Sequence, residues 1–331
     1  MRTYSIYLRN EVRWILKASD PAIIEFPPSS PFDGWALLTP LVVPSNVIGR
    51  GLSYVALTSD RFLISSDRID FRVDTADKDA VWAVAQRILR WLRFITGQPQ
   101  LGRDIIGHSL QPDADNELVP LPTEFQKLAD PVRHVEFSAL SFDLMRAAIR
   151  SNPSFLVPIY SEVLLDAIES SFVSDERKAI LYSAISVEVM AATRIQEIFE
   201  GASSIGNTDF RVIRIPQAGG IALEKDPVFD ELRRNSERNF KLLLSALPLY
   251  VQRRSMLTED QELYKELVLL HTTRNNLVHS ANLERGECIP LNHVGMRRAV
   301  DAAIAAFRWF GAAGRYVTMW STELDADWRT G

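Results

Sequence analysis

Three side chains near the end of a leucine-rich helical pattern have the types and spacing for acid–base work beside a phosphate. The stretch HTTRNNLVHS, residues 271–280, places Arg274, Asn275 and His279 within a turn and a half. An imidazole titrates near neutral pH and moves protons to or from a hydroxyl such as a ribose 2′-OH. A guanidinium neutralises charge that builds on phosphate oxygens during phosphodiester chemistry. On a continuous helix Asn275 and His279 are four residues apart and share a face, so the amide can orient the imidazole. Arg274 and His279 are five apart, about 140° round an ideal helix. Pairing them needs the long arginine to reach back, the helix to end near Ser280, or two chains to pool their sites.

The elements that must hold these groups show in two apolar stripes. Leu263, Leu267, Leu270, Arg274 and Leu277 recur at spacings of three and four, which puts them on one buried helix face with the arginine in its middle. An arginine there needs a carboxylate, a phosphate or a partner chain, because an unpaired buried charge is costly. A second stripe, Leu181, Ala184, Glu188, Ala191 and Ile195, is interrupted by one acid. Two helices with one opposite charge each invite a meeting of Arg274 with Glu188, either as part of a reactive site or as an ion pair that only fixes helix register. The spacing alone is weak evidence, since a chain with 30 Arg and 5 His holds R-x(4–6)-H roughly once by chance. Arg103 to His108 repeats it in a Gly/Pro-rich stretch without helical pattern. The asparagine after Arg274 and the helical setting favour the later match.

Composition sets the bounds. With 331 residues, 47% of them hydrophobic, the chain can fill two cores of ordinary size. A formal net charge of −5 argues against an overall basic coat for nucleic acid and leaves room for a local basic site. Arginine outnumbers lysine 30 to 7, which suits phosphate recognition and equally a codon bias. The single cysteine, Cys288, excludes an intramolecular disulfide and a Cys-based zinc cluster. Gly-rich phosphate loops, GxSxG and HExxH are all missing, so no cofactor or metal is expected. The start MRTYSIYLRNEVRW lacks the apolar run of a signal peptide, and AAIAAF at 302–307 is far too short for a membrane span. A cytoplasmic protein with no membrane partner is the expectation.

Residues 1–150 read as a mixed α/β domain of sensing or substrate-selecting type. TYSIYL, YVALTS, RFLISS and IDFRVD are short β-rich segments, with a hairpin turn at Ser59–Asp60. Val81, Val84, Ile88 and Leu92 form the stripe of a helix from Asp77 to about Thr96, and the Gly/Pro-rich stretch after it reads as a long irregular connection. Residues 151–331 read as helical. Ser174 is the predicted N-cap of a helix closing at Gly201, a second helix covers 226–247, and Thr258 caps a third with Gln261 at the capping-box position. A fourth runs from His293 to Phe310, and the loop at 201–220 has room for one short strand. The fold class is therefore an α+β amino-terminal domain followed by an all-α helical bundle.

A helical domain with R-N-x-x-x-H near the end of a late helix and one more helix after it resembles the HEPN superfamily. The local form LVLLHTTRNNLVHS is most similar to its Apea-like branch, from prokaryotic genome defence, and the resemblance spans about residues 150–315. It implies a metal-independent endoribonuclease of prokaryotic defence or stress response, acting on RNA as a homodimer and leaving 2′,3′-cyclic phosphate ends. Arg274, Asn275 and His279 would be its catalytic residues, with Glu188 as the acid that family members carry on an earlier helix. The loop at 201–220 is longer than a minimal four-helix bundle of this kind needs. One alternative is a catalytically silent domain of the same type that binds RNA or a protein partner. Another is a purely structural bundle in which Arg274 pairs with Glu188.

Arg233, Arg234, Arg238 and Lys241 form a basic face for an RNA backbone or, interleaved with Asp230, Glu231 and Glu237, an ordinary solvated face. Arg253–Arg254 and Arg297–Arg298 carry the same two readings. Trp82 and Trp91 are expected in a core rather than as base-stacking platforms, and His271 is expected at a helix surface or in packing.

Overall fold

The computed structural model describes residues 2–312 apart from 45–51, 58, 99–100, 102–104, 113–117, 121–125, 128–138, 205–212, 217–221 and 280–286. The chain forms two compact units that meet in sequence between Val157 and Pro158. The first holds strands β1 (Arg2–Lys17), β2 (Ile23–Glu25), β3 (Trp35–Leu38), β4 (Val42–Pro44), β5 (Leu52–Ala56) and β6 (Arg61–Val73), then helix α1 (Lys78–Thr96). It continues with β7 (Ile105–Pro112), β8 (Leu118–Pro120), β9 (Gln126–Lys127), β10 (Leu140–Ser141) and α2 (Phe142–Ser151).

An antiparallel pair is the spine of this unit. β1 runs against β6 from Arg2↔Val73 to Lys17↔Arg61, with an irregularity between Tyr7 and Val12 where Arg9, Asn10 and Glu11 turn outward. The other edge of β1 takes β7 antiparallel and β10 parallel, while β6 takes β3 and β5. RFLISS and IDFRVD are thus one strand, not two. Its central serines are buried rather than turned to solvent, and Ser66 Oγ donates to the Arg68 carbonyl at 2.8 Å. The stretch after α1 is likewise not all irregular, because β7 lies in it, paired along the first half of β1. His108 of β7 stacks on Trp82 with ring centroids 4.6 Å apart, so the histidine of the Arg103–His108 match lies on a strand, while Arg103 lies outside the described residues. Trp91 is fully buried and Trp82 half-buried. α1 begins as its sequence reads, with the Asp77 side chain accepting from the Asp79 and Ala80 amides and Gly97 ending it at φ 67°.

Tyr4 lies on the buried face of β1, and its hydroxyl has no hydrogen-bond partner. Burial pushes its phenol up to about 12 from 10.0. A group whose folded pKa is raised stabilises the fold fully below its unfolded pKa and loses that contribution as pH climbs through the folded one. Wild type is therefore expected to lose about 2 kcal/mol relative to Tyr4→Phe between pH 10 and pH 12. Urea midpoints of the two proteins across that range check this, and a constant difference would sink it.

The second unit is helical: α3 (Ile159–Phe172), α4 (Glu176–Ser204), α5 (Pro227–Arg238), α6 (Phe240–Leu244), α7 (Ala246–Gln252), α8 (Met256–Glu259), α9 (Gln261–His279) and α10 (His293–Trp309). A short antiparallel hairpin of β11 (Ile213–Pro216) and β12 (Ala222–Lys225) interrupts the helices, two strands where one was expected. α4 is the central helix and packs on α3, α9 and α10. Its fully buried Ile180, Val187, Met190 and Ala191 join Leu267 and Leu270 of α9 and Ala303 and Phe307 of α10 in one core. The caps differ from the sequence reading. Asp175, not Ser174, caps α4 by accepting from the Lys178 amide, and Asp260, not Thr258, caps α9 by accepting from the Leu263 amide. α4 also runs through Gly201 to Ser204. The helix expected over 226–247 is broken at Asn239, which has extended backbone and whose side chain accepts from the Lys241 amide to start a new turn. Gly295 must be glycine, because a Cβ there would lie 2.0 Å from the Pro290 carbonyl oxygen. Among the described residues no helix is long and apolar enough to cross a membrane.

Candidate active site

The seam between α4 and α9 gathers most of the residues that the sequence singles out. The leucines of α9 point into the core, and Arg274, Asn275 and His271 lie partly buried at the border of that stripe. Glu188 comes to the same border from the middle of α4. Its partner is not Arg274, and no direct Arg274–Glu188 pair forms. Glu188 Oε1 lies 2.7 Å from His271 Nδ1, and His271 Nε2 lies 2.9 Å from Asn275 Nδ2. Arg274 Nη1 then donates to Asn275 Oδ1 at 2.8 Å.

The polarity of this chain of contacts is consistent along its whole length. Arginine only donates, so the amide oxygen accepts from Arg274 and the amide nitrogen donates to His271 Nε2. Nε2 is then unprotonated, and Nδ1 carries the hydrogen given to the Glu188 carboxylate. A neutral imidazole and an amide thus relay between a cation and an anion that never touch. The ring is held flat as well: Phe240 stacks on His271 with centroids 4.5 Å apart and planes 8° from parallel. The Arg274 Nε is buried and has no hydrogen-bond partner.

Asn275 therefore orients His271 and not His279. His279 is exposed on the last residue of α9, and among the described residues no hydrogen bond joins it to Arg274. The end of the helix that carries it is fixed from several sides. Arg177 donates to the Leu277 carbonyl at 3.3 Å, the buried Thr273 hydroxyl accepts from the Ile289 amide at 2.9 Å, and Asn276 donates to Cys288 Sγ at 3.1 Å. His271 is the residue that sequence reasoning undervalued. Its one available signal was the shared face with Asn275, four residues on. Glu188, 83 residues away, supplies the rest.

Beside this chain of contacts lies a cavity of about 440 Å³ that Glu188 and His271 help to line. Arg233 reaches it, and of the basic face expected over 233–241 Arg233, Arg234 and Lys241 are exposed. Arg234 is exposed and donates to the Asp230 carbonyl of its own helix, and Lys241 is exposed on α6 beyond the break at Asn239. The Arg238 side chain lies outside the described residues. Arg254 is engaged by Glu259 and lies over the Trp309 ring at 4.7 Å, and Arg298 is engaged by Glu266. Among the described residues no three His, Cys, Asp or Glu side chains gather as a metal site. Comparison of the chain with protein-family models, with curated proteins and with solved structures finds no match.

Proposed function

We propose that the helical unit is a HEPN-like, metal-independent endoribonuclease that works as a homodimer in the cytoplasm, in prokaryotic defence or stress response. One observation carries this reading. Arg274 is braced by Asn275, His271 and Glu188 while its Nε has no hydrogen-bond partner, and His279 stands exposed little more than a turn away. A guanidinium braced in this way suits a phosphate whose charge grows in the transition state. An exposed imidazole suits proton transfer with a substrate hydroxyl.

In the reaction, His279 takes the proton of the ribose 2′-OH as O2′ attacks phosphorus. The O2′–P bond forms, the P–O5′ bond breaks, and a proton returns to O5′ from water or from the partner subunit's imidazole. The products are a 2′,3′-cyclic phosphate and a 5′-hydroxyl. Arg274 holds the non-bridging oxygens throughout, and Asn275, His271 and Glu188 hold Arg274. The test is cleavage of RNA by the purified full chain in EDTA with end-group analysis. Cyclic phosphate ends, lost with Arg274→Ala, are expected. Cleavage that needs a divalent ion, that leaves 3′-hydroxyl ends, or that survives in the variant would overturn the proposal.

A further inference from the structure

One arginine outside the motif reaches the same seam. Arg177 lies in the first turn of α4, eleven residues before Glu188. Eleven residues are close to three full turns, so the two side chains leave α4 within about 20° of each other. Both meet α9. Glu188 reaches His271 at 2.7 Å, and Arg177 Nη2 donates to the Leu277 carbonyl at 3.3 Å. The two helices thus run antiparallel, and Arg177 meets the seam at its His279 end, two residues before that histidine. Along the helix axis Leu277 is about 4.5 Å beyond Arg274. The carbonyl contact uses one of five guanidinium N–H groups. Arg177 is exposed, and among the described residues no carboxylate pairs with it. Other exposed cations of the unit are engaged: Lys178 by Asp175 at 2.8 Å, Arg254 by Glu259 and Arg298 by Glu266.

We propose that Arg177 is a substrate-binding residue, holding a phosphate of the RNA strand next to the one undergoing cleavage. A guanidinium fixed by a backbone carbonyl and lacking a counter-ion is set in place for an anion from outside, and its fork of donors matches phosphate oxygens. Arg274 takes the scissile phosphate and Arg177 its neighbour, so the strand crosses the exposed end of α9 past His279. Contacts to two phosphates fix the register and direction of the strand, which one contact does not. A side chain that only capped the end of α9 would need a donor and no charge, whereas one that holds a phosphate needs the charge. The two roles part on that difference. The alignment of the strand for cleavage rests on the ribonuclease reading, whereas the binding itself does not.

The experiment measures binding of a short fluorescein-labelled 2′-O-methyl RNA, which lacks the attacking hydroxyl, to the full chain between about 50 and 200 mM salt. Arg177→Gln keeps an amide donor at the site and removes the charge, while Arg177→Lys keeps the charge. Arg298→Gln removes the same charge from a paired arginine. Arg177→Gln is expected to weaken binding about tenfold at the low-salt end. It should also lower the slope of log K against log salt by about 0.7, one phosphate contact on a single strand. Arg177→Lys and Arg298→Gln are expected to keep the wild-type slope. On unmodified RNA, Arg177→Gln should raise KM more than it lowers kcat. An unchanged slope in Arg177→Gln, an equal fall in Arg177→Lys or Arg298→Gln, or no binding by wild type overturns the proposal. Binding that depends on Arg177, without cleavage of unmodified RNA by wild type, would overturn the ribonuclease reading alone. Cleavage by wild type with an unchanged slope in Arg177→Gln would overturn this inference alone.

Discussion

His279→Ala is expected to lower metal-free RNA cleavage by about 10²–10⁴-fold, the usual loss when a general acid–base group is removed. His271→Ala is expected to cost less, about 10–100-fold, as loss of a supporting group usually does. The two histidines differ in what their nitrogens are doing. Both ring nitrogens of His271 are occupied, one by Glu188 and one by Asn275, and its face is covered by Phe240. Such a ring positions Arg274 and has no free nitrogen for a substrate. His279 is exposed, so its ring is accessible to a ribose hydroxyl. Added free imidazole separates the roles: it should restore cleavage to His279→Ala, whose missing ring exchanges a proton, and leave His271→Ala unrestored. Circular dichroism of both variants guards against unfolding, since His271 also packs. The reverse pattern, silence in His271→Ala and cleavage in His279→Ala, would make Glu188–His271 the proton-transfer pair, with the carboxylate orienting the base.

What the sequence could and could not show divides by range. α1 was legible because its signal is local, a four-residue stripe of Val81, Val84, Ile88 and Leu92. The stripes of α4 and α9 were legible for the same reason, and with them the oddity of Glu188 and Arg274 on apolar faces. The partner of Glu188 was not, because it depends on how two helices 83 residues apart are rotated against each other. Opposite charges suggested a direct pair, whereas the structure inserts an imidazole and an amide between them. β7 was hidden by its Gly107 and Pro112 and by the Gly/Pro-rich sequence around it, since strand formation there is decided by pairing with β1 and not by local propensity. The break at Asn239 shows a local signal overlooked: an asparagine that accepts from an amide two residues on competes with the helix it interrupts.

Asp70→Ala is expected to cost about 3–5 kcal/mol of stability in the amino-terminal unit, the range for removing one partner of a buried ion pair. Arg68 and Asp70 sit two residues apart on β6, so both side chains leave the same face of the strand. Both are fully buried, with Arg68 Nε 2.8 Å from Asp70 Oδ1. Ser5, directly across the ladder from Asp70, donates to the same carboxylate at 2.7 Å, and Arg68 lies over the Tyr7 ring at 5.8 Å. Alternation along IDFRVD suggests polar residues turned to water, and Asp74 is exposed, yet Asp70 is fully buried. Removing the carboxylate leaves a buried guanidinium without the anion beside it, a larger penalty than the lost attraction alone. The melting temperature of the full chain should fall by on the order of 10 °C. The double variant Arg68→Met/Asp70→Leu tests the cause, because two apolar side chains of similar size leave no charge to solvate. Its stability should return to within about 1 kcal/mol of wild type or exceed it. A double variant as unstable as Asp70→Ala would show that the loss comes from packing or from the Ser5 hydrogen bond instead.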